Sequence, residues 1–342
     1  MSIATRKFNI VKLLLSKSIF NENIIHIILQ YYWNILNNKD KILSYWIDKS
    51  KLDWNELNYN LNAIELLKQN KHKINWYLLS SNPNGIEILK QNKNKINWYI
   101  LSSNPNAIEL LKNNQHKICW ASLSANPNAI ELLRNNQDKL CWRSLCLNLN
   151  AIDLLKQNKN KINWYILSSN PNAIELLKNN QHKINWRCLC ENPNAIDLLE
   201  ENQDKIDWFY LSFNPNAIEL LKNNKHKIYW GCLSSNPNAI DLLKEQIEYE
   251  KKLSIYEYME LIDIKKRIDW DALSQNPNAI ELLEQYQNKT RWDYICLNPN
   301  AINLIKKHME YIQSNNEEYY KINWNLLSSN PSIFEDESMP II

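Results

Sequence analysis

Glycine is almost missing: Gly85 and Gly231 are the only two in 342 residues. Loops that cradle phosphates in dinucleotide-binding and P-loop proteins need several glycines at fixed spacing, so both kinds of nucleotide site are excluded. No sign of charge dominates either. The 40 basic and 37 acidic residues leave a net charge of +3, too little for a dedicated nucleic-acid or membrane protein. The seven cysteines are odd in number and contain no CxxC spacing, which argues against a disulfide framework or a zinc site. Free, mostly buried thiols in a reducing cytoplasm are expected. The N-terminus lacks an apolar core followed by a small-residue cleavage site, so no secretory leader is expected. The apolar stretch 24–36 carries His26, Gln30 and Asn34 and is too short to span a bilayer.

What the chain has in abundance is tryptophan, at a fixed interval. It stands at 54, 76, 98, 120, 142, 164, 186, 208 and 230, eight consecutive steps of 22 residues, and the phase resumes at Trp270, Trp292 and Trp324. A constant period of this size marks a stacked repeat array, each unit burying its apolar face against its neighbours. A continuous core on this plan would contain the tryptophans, Trp164 among them.

Within one unit, Asn82-Pro83 reads as a helix start, Asn as cap and Pro at the first helical position. In the stretch 105–114, Ala107, Ile108, Leu110 and Leu111 share one face, with Glu109 and Lys112 placed as the helix dipole prefers. Asn70, Asn92, Asn114, Asn136, Asn158, Asn180, Asn202 and Asn224 recur at the helix end, where a left-handed cap is expected of Asn when Gly is scarce. Asn or Asp before most tryptophans caps a second short helix. Cys119 and Cys141 take this Asn position, and Cys146 and Cys190 take that of a recurrent Ser. No run alternates with period two. A leucine-rich repeat shares the period but needs apolar residues where Tyr77 and Asn84 stand, and Arg143, Gly231 and Asp271 occupy the Tyr77 position elsewhere. The expected fold is therefore all-α, an elongated α-solenoid of short antiparallel helix pairs.

Residues 1–52 fall outside the repeat and are expected to form a helical N-terminal cap, with the solenoid over 53–335. Insertions of 18 and 10 residues, near 245–262 and 307–318, fall in the link between the two helices. Residues 336–342 form a short tail. Residues 93–118 and 159–184 are identical, a duplication of three units. The unit W-x-x-L-S-x-N-P-N-A-I-x-L-L-x-x-N over about 53–335 resembles the NPNAI tandem-repeat proteins of giant DNA viruses of amoebae. That resemblance implies origin and architecture, with a place in the host cytoplasm or the virion, and no activity. Leu149, which replaces the Pro, and the long insertion depart from the pattern.

No catalytic or cofactor set emerges. His72, His116, His182 and His226 share one phase but never occupy adjacent units, so they cannot approach to the roughly 2 Å bonds of a common zinc. A lysine ladder, Lys73 through Lys117, Lys139, Lys161 and Lys183 to Lys321, offers a nucleic-acid binder as one alternative. Its steps of about 10 Å exceed the Debye length of about 8 Å, so the charges do not sum to one field. A structural virion component is a second alternative. A third is a ubiquitin-ligase substrate receptor, because residues 19–33 are similar to an F-box helix. The main expectation is a monomeric, non-enzymatic scaffold that binds a protein partner, with no cofactor, metal or membrane. Its contact stripe would consist of the positions one and five after each Trp, where the sequence varies: Tyr77, Tyr99, Arg143, Leu147, Tyr165, Arg187, Glu191, Phe209 and Phe213.

Overall fold

The computed structural model describes residues 41–254, 256, 266–315 and 322–336. The F-box-like segment, the distal part of each insertion and the tail beyond 336 lie outside these. The chain forms the all-α repeat solenoid that the tryptophan period implies. In the repeat of Trp98, the Asn97 side chain accepts the Ile100 N–H at 3.0 Å and starts the helix Trp98–Leu101. Pro105–Ala107 follows as a 3-10 turn capped by Asn104, then the helix Ile108–Lys112, then a second 3-10 turn at Gln115–Lys117. Most described repeats alternate a Trp helix and an Ile helix in this way; in the repeat of Trp292 a 3-10 turn, Tyr294–Leu297, stands in place of the Trp helix. In most repeats proline, with fixed φ and no N–H, starts a new element within two turns of the Trp, though the helices Trp54–Tyr59 and Trp142–Leu145 are as short with Leu61 and Leu149 in its place.

The Asn at the end of the Ile helix is not left-handed. Asn114 has φ −138° and ψ 44°, and Asn70 has φ −126° and ψ 52°. Asn serves here as a donor: Asn114 Nδ2 reaches the Leu110 carbonyl at 2.8 Å, and Asn70 Nδ2 the Leu66 carbonyl at 2.7 Å. These carbonyls belong to the last helical turn, which has no partner of its own.

The core is a row of leucine and alanine. Leu101, Leu111, Leu123, Leu133, Ala107 and Ala129 are fully buried. Trp164 and its equivalents through Trp230 are half-buried at the margin of this row. The expected tryptophan spine is thus replaced by leucine, because Leu fits between short helices where an indole would hold them apart.

Neighbouring repeats are tied by buried side-chain amides. Asn104 Nδ2 donates to the Ser80 and Asn82 carbonyls of the preceding repeat at 3.1 and 3.0 Å, while its Oδ1 caps its own turn by accepting the Asn106 N–H at 3.0 Å. Asn106 Nδ2 adds a bond to the Pro83 carbonyl at 3.0 Å. Ser102 Oγ donates to the Trp98 carbonyl at 2.7 Å and accepts the Cys119 N–H at 3.0 Å. Cys146 and Cys190 keep parts of the Ser role with longer bonds of 3.3 Å, to the Trp142 carbonyl and from the Asp207 N–H respectively.

The described chain falls into two compact units, one of Lys41–Cys188 with Trp292–Glu335 and one built on Leu189–Arg291. In the first unit the stacking order differs from the chain order. Asn330 Nδ2 donates to the Cys296 and Asn298 carbonyls at 2.9 and 3.0 Å. Asn60 Nδ2 then donates to the Ser328 and Asn330 carbonyls, both at 3.0 Å, and Asn82 Nδ2 to those of Asn58 and Asn60 at 2.9 and 3.2 Å. The repeat of Trp54 therefore stacks directly on the repeat of Trp324. Residues 41–52 support this joint. Strand β1 (Lys41–Leu43) pairs with β2 (Phe334–Asp336), and Ser44 N–H donates to the Ile333 carbonyl at 2.9 Å. Lys49–Lys51 is a 3-10 turn in repeat phase, so the repeat begins four residues before Asp53. Its start is hidden in the sequence because Asp48, not Asn, holds the turn, accepting the Ser50 N–H at 3.0 Å.

In the second unit the same bonds run from Asn214, Asn236 and Asn276. Asn276 reaches the Ser234 and Asn236 carbonyls at 3.0 Å across the long insertion, which leaves the register untouched. Both insertions lengthen the Ile helix at its C-terminal end, as Ile240–Glu250 and Ile302–Asn315.

If the amide tie is the main load, Asp is a poor substitute for Asn even though both are good caps. Asn126→Asp keeps the acceptor to Asn128 but turns a carboxylate toward the Ser102 and Asn104 carbonyls. Chemical denaturation is expected to show a loss of about 2 kcal/mol or more, at least as large as for Asn126→Ala. A near-neutral Asp variant would reduce the residue to a cap.

Candidate functional site

Many of the variable positions are exposed, whereas Gly231 is buried and Ser81, Ala125, Ser169 and Phe209 are half-buried. In the first unit Tyr77, Tyr99, Arg143, Leu147, Tyr165 and Arg187 are exposed on the outer side of their Trp helices, Tyr99 at 63% and Leu147 at 53%. Helix geometry forces this: Leu79 and Ser80, three and four residues after Trp76, face inward, which turns positions one and five outward. Glu191 and Phe213 are exposed in the second unit. Phe209 is half-buried. Its ring meets Tyr210 at 5.0 Å, Tyr229 at 5.4 Å and Phe213 at 5.6 Å, all edge-to-face. Tyr229 stands where other repeats carry the capping Asn, and this substitution supplies Phe209 with an aromatic neighbour from the next repeat. Phe209 is thus part of a local cluster, with Phe213 as its exposed edge.

The lysine ladder has a role inside the fold. Many of these Lys place the ammonium over the Trp of the preceding repeat: Lys95 over Trp76 at 4.7 Å, Lys139 over Trp120 at 4.9 Å, Lys161 over Trp142 at 4.6 Å and Lys183 over Trp164 at 4.8 Å. Lys51 covers Trp324 at 5.3 Å, so the ladder crosses the joint between first and last repeats in phase. A cation on an indole face is worth about 0.5–1 kcal/mol at exposed sites. The period of Lys relative to Trp held this signal, three residues before each Trp, but not which ring each Lys would cover. Trp292 is different: it is 4% exposed, and the imidazole of His308 from the lengthened helix stacks on it at 3.3 Å and 3°.

No known protein family, curated protein or solved structure matches the chain. The chemistry of the site must therefore be read from its own side chains. His72, His116, His182 and His226 are exposed on 3-10 turns, and among the described residues no three His, Cys, Asp or Glu gather as a metal set. Also among them, no helix is long and apolar enough to cross a membrane. All seven cysteines are free. Burial pushes Cys232 to about 11 and Cys296 to about 12, so neither is a thiolate at neutral pH. The Ser144 hydroxyl beside Cys141 lowers that thiol.

Among the described residues, the buried carboxylate with a raised value is Glu250, at the base of the long insertion. Burial raises it, opposed by hydrogen bonds from the Ile268 N–H and the Gln246 amide and by the charges of Lys289 and Arg267. Glu250 Oε1 accepts from Ile268 N–H at 2.7 Å and Gln246 Nε2 at 3.3 Å, and Gln246 Nε2 also reaches the Lys266 carbonyl at 3.1 Å. The two side chains clamp both ends of the insertion.

Two outcomes are expected. Replacing Lys117, Lys139, Lys161 and Lys183 together by Gln lowers stability by about 2–4 kcal/mol, summing about 0.5–1 per rung, and Arg in their place retains most of it. Denaturant midpoints of the two quadruple variants decide this; equal loss for Arg and Gln would put the ladder's worth elsewhere. A carboxyl raised in the fold binds its proton more tightly there than in the unfolded chain. The clamp's contribution is therefore full below the ordinary value of 4.5 and declines as pH rises through the folded value. Amide exchange at Ile268, corrected for intrinsic rate, is expected to show this decline in the wild type and none in Glu250→Gln.

Proposed function

We propose that the chain is a non-enzymatic protein-interaction scaffold whose partner meets the Trp-helix stripe. The observation that carries this reading is a division of labour within the repeat. Asn, Ser, Leu, Lys and Trp make the bonds and contacts that join repeats, whereas positions one and five vary in sequence and at Tyr77, Tyr99, Leu147 and Tyr165 hold large, exposed side chains. Tyr77, Tyr99 and Tyr165 are between 53% and 63% exposed, and Tyr and Arg are the residues most often found as anchors in binding surfaces. A stripe mounted on a hydrogen-bonded stack loses little freedom on binding, which favours affinity. Nucleic acid along the lysine edge is the weaker reading, since those ammonium groups already rest on indole faces. A giant-virus origin, implied by the repeat wording, would make the partner a host or virion protein.

Tyr77→Ser, Tyr99→Ser and Tyr165→Ser in one chain are expected to change stability by less than about 0.5 kcal/mol each. Partner affinity is expected to fall by at least about 2 kcal/mol. The measurement is quantitative cross-linking mass spectrometry from expressing cells, wild type against triple variant, with capture repeated at raised salt. Retention of the same partners by the variant would sink the reading. Loss of all capture at raised salt would transfer it to the lysine edge.

A further inference from the structure

The joint between the repeats of Trp324 and Trp54 has the chemistry of every internal joint. Asn60 Nδ2 donates to two carbonyls, Asn62 Nδ2 donates to the Pro331 carbonyl at 2.9 Å, and Asp53 N–H donates to Ser328 Oγ at 2.8 Å. At the internal joint between the repeats of Trp76 and Trp98, the same bonds are made by Asn104, Asn106 and the Asn97 N–H. One property differs. Successive repeats are tethered by the turn between them, whereas the bonded residues at this joint are 268 to 275 positions apart.

We propose that this joint is an assembly surface for a second copy of this chain: the Trp324 repeat of one molecule seats the Trp54 repeat of another. Both halves of the interface are present on every copy and are complementary to each other, not to themselves. Such a contact is heterologous, so it produces a reciprocally exchanged pair when two copies close on each other and a head-to-tail series when they do not. Within one chain the intervening repeats hold the two halves near each other, which favours the intramolecular joint in dilute protein. Exchange requires only that the joint open while the chain is concentrated. The proposal is independent of any partner at the Trp-helix stripe.

The test uses the full chain. Light and heavy isotope-labelled protein are mixed, unfolded in denaturant, refolded at about millimolar concentration and fractionated with light scattering. Dimers and larger species of native helicity are expected. In them, lysine cross-links between Lys49 or Lys51 and Lys306 should join light to heavy chains, at close to the statistical half for an equal mixture. Asn60→Asp is expected to lower this oligomer fraction at least tenfold, while Asn126→Asp, the same change at a tethered joint, leaves it within twofold. Absence of folded oligomers, or oligomers whose joint cross-links stay within one isotope, would overturn the proposal whether or not either variant folds.

Discussion

Everything in the repeat depends on one buried amide. Asn104, Asn126 and their equivalents are at most 3% exposed, and within each unit residues such as Asn104, Asn126 and Asn236 use the oxygen to cap a turn and the nitrogen to tie two carbonyls of the neighbouring repeat. Asn alone has the reach and the chemistry for both: Asp lacks the donor, Ser has a single hydrogen, and Gln carries an extra methylene. Buried peptide groups left without partners are costly, so the carbonyls that receive these bonds demand them. The amide does not itself fix the 22-residue period: the long insertion lies between Asn236 and the Trp270 helix, and Asn276 still reaches the Ser234 and Asn236 carbonyls at 3.0 Å. The two long insertions enter at the C-terminal end of the Ile helix, the segment through which no amide tie passes.

The second constraint is electrostatic and lies at the margin of the core. Indoles at the edge of a leucine row would expose a large apolar face, and the following lysine covers it. The Lys stem adds apolar area while its ammonium stays in water. Where the chain departs from this scheme it substitutes another flat or charged cover: His308 on Trp292, and at Trp270 the edge of Tyr286 at 5.7 Å together with Lys289 at 5.4 Å. On the outer side of the Trp helix, where the sequence varies, Tyr77, Tyr99 and Leu147 remain largely exposed.

The period, the paired short helices and the caps before Trp were legible from spacing alone, because caps and proline act within a few residues. The variable stripe was legible too, since helix geometry places positions one and five opposite the buried Leu79. Three things were not. Asn82 looked complete as a cap, and nothing local tells that its nitrogen is spent on the preceding repeat. Asn114 looked like a glycine substitute, and only the backbone angles show that its side chain matters. Trp164 looked like core because hydrophobicity ranks it so, although an indole beside four-residue helices is too large for their interior. Phe209 differs for another reason: its neighbour Tyr229 comes from the following repeat, in a position where the other repeats offer no ring.

The meeting of Trp324 with Trp54 changes how this protein should fold. Stacked repeats ordinarily fold fast and piecemeal because their contacts are local in sequence. Here one contact spans nearly the whole array. Closing a flexible loop of ~270 residues costs about 5 kcal/mol by (3/2)RT ln n, so the contact forms late, after the intervening repeats have already surrendered that freedom. Once made, it joins the repeats of Trp54 and Trp324, and opening at either must first break a completed interface. A nearest-neighbour architecture thereby acquires a barrier to unfolding that belongs to the molecule as a whole.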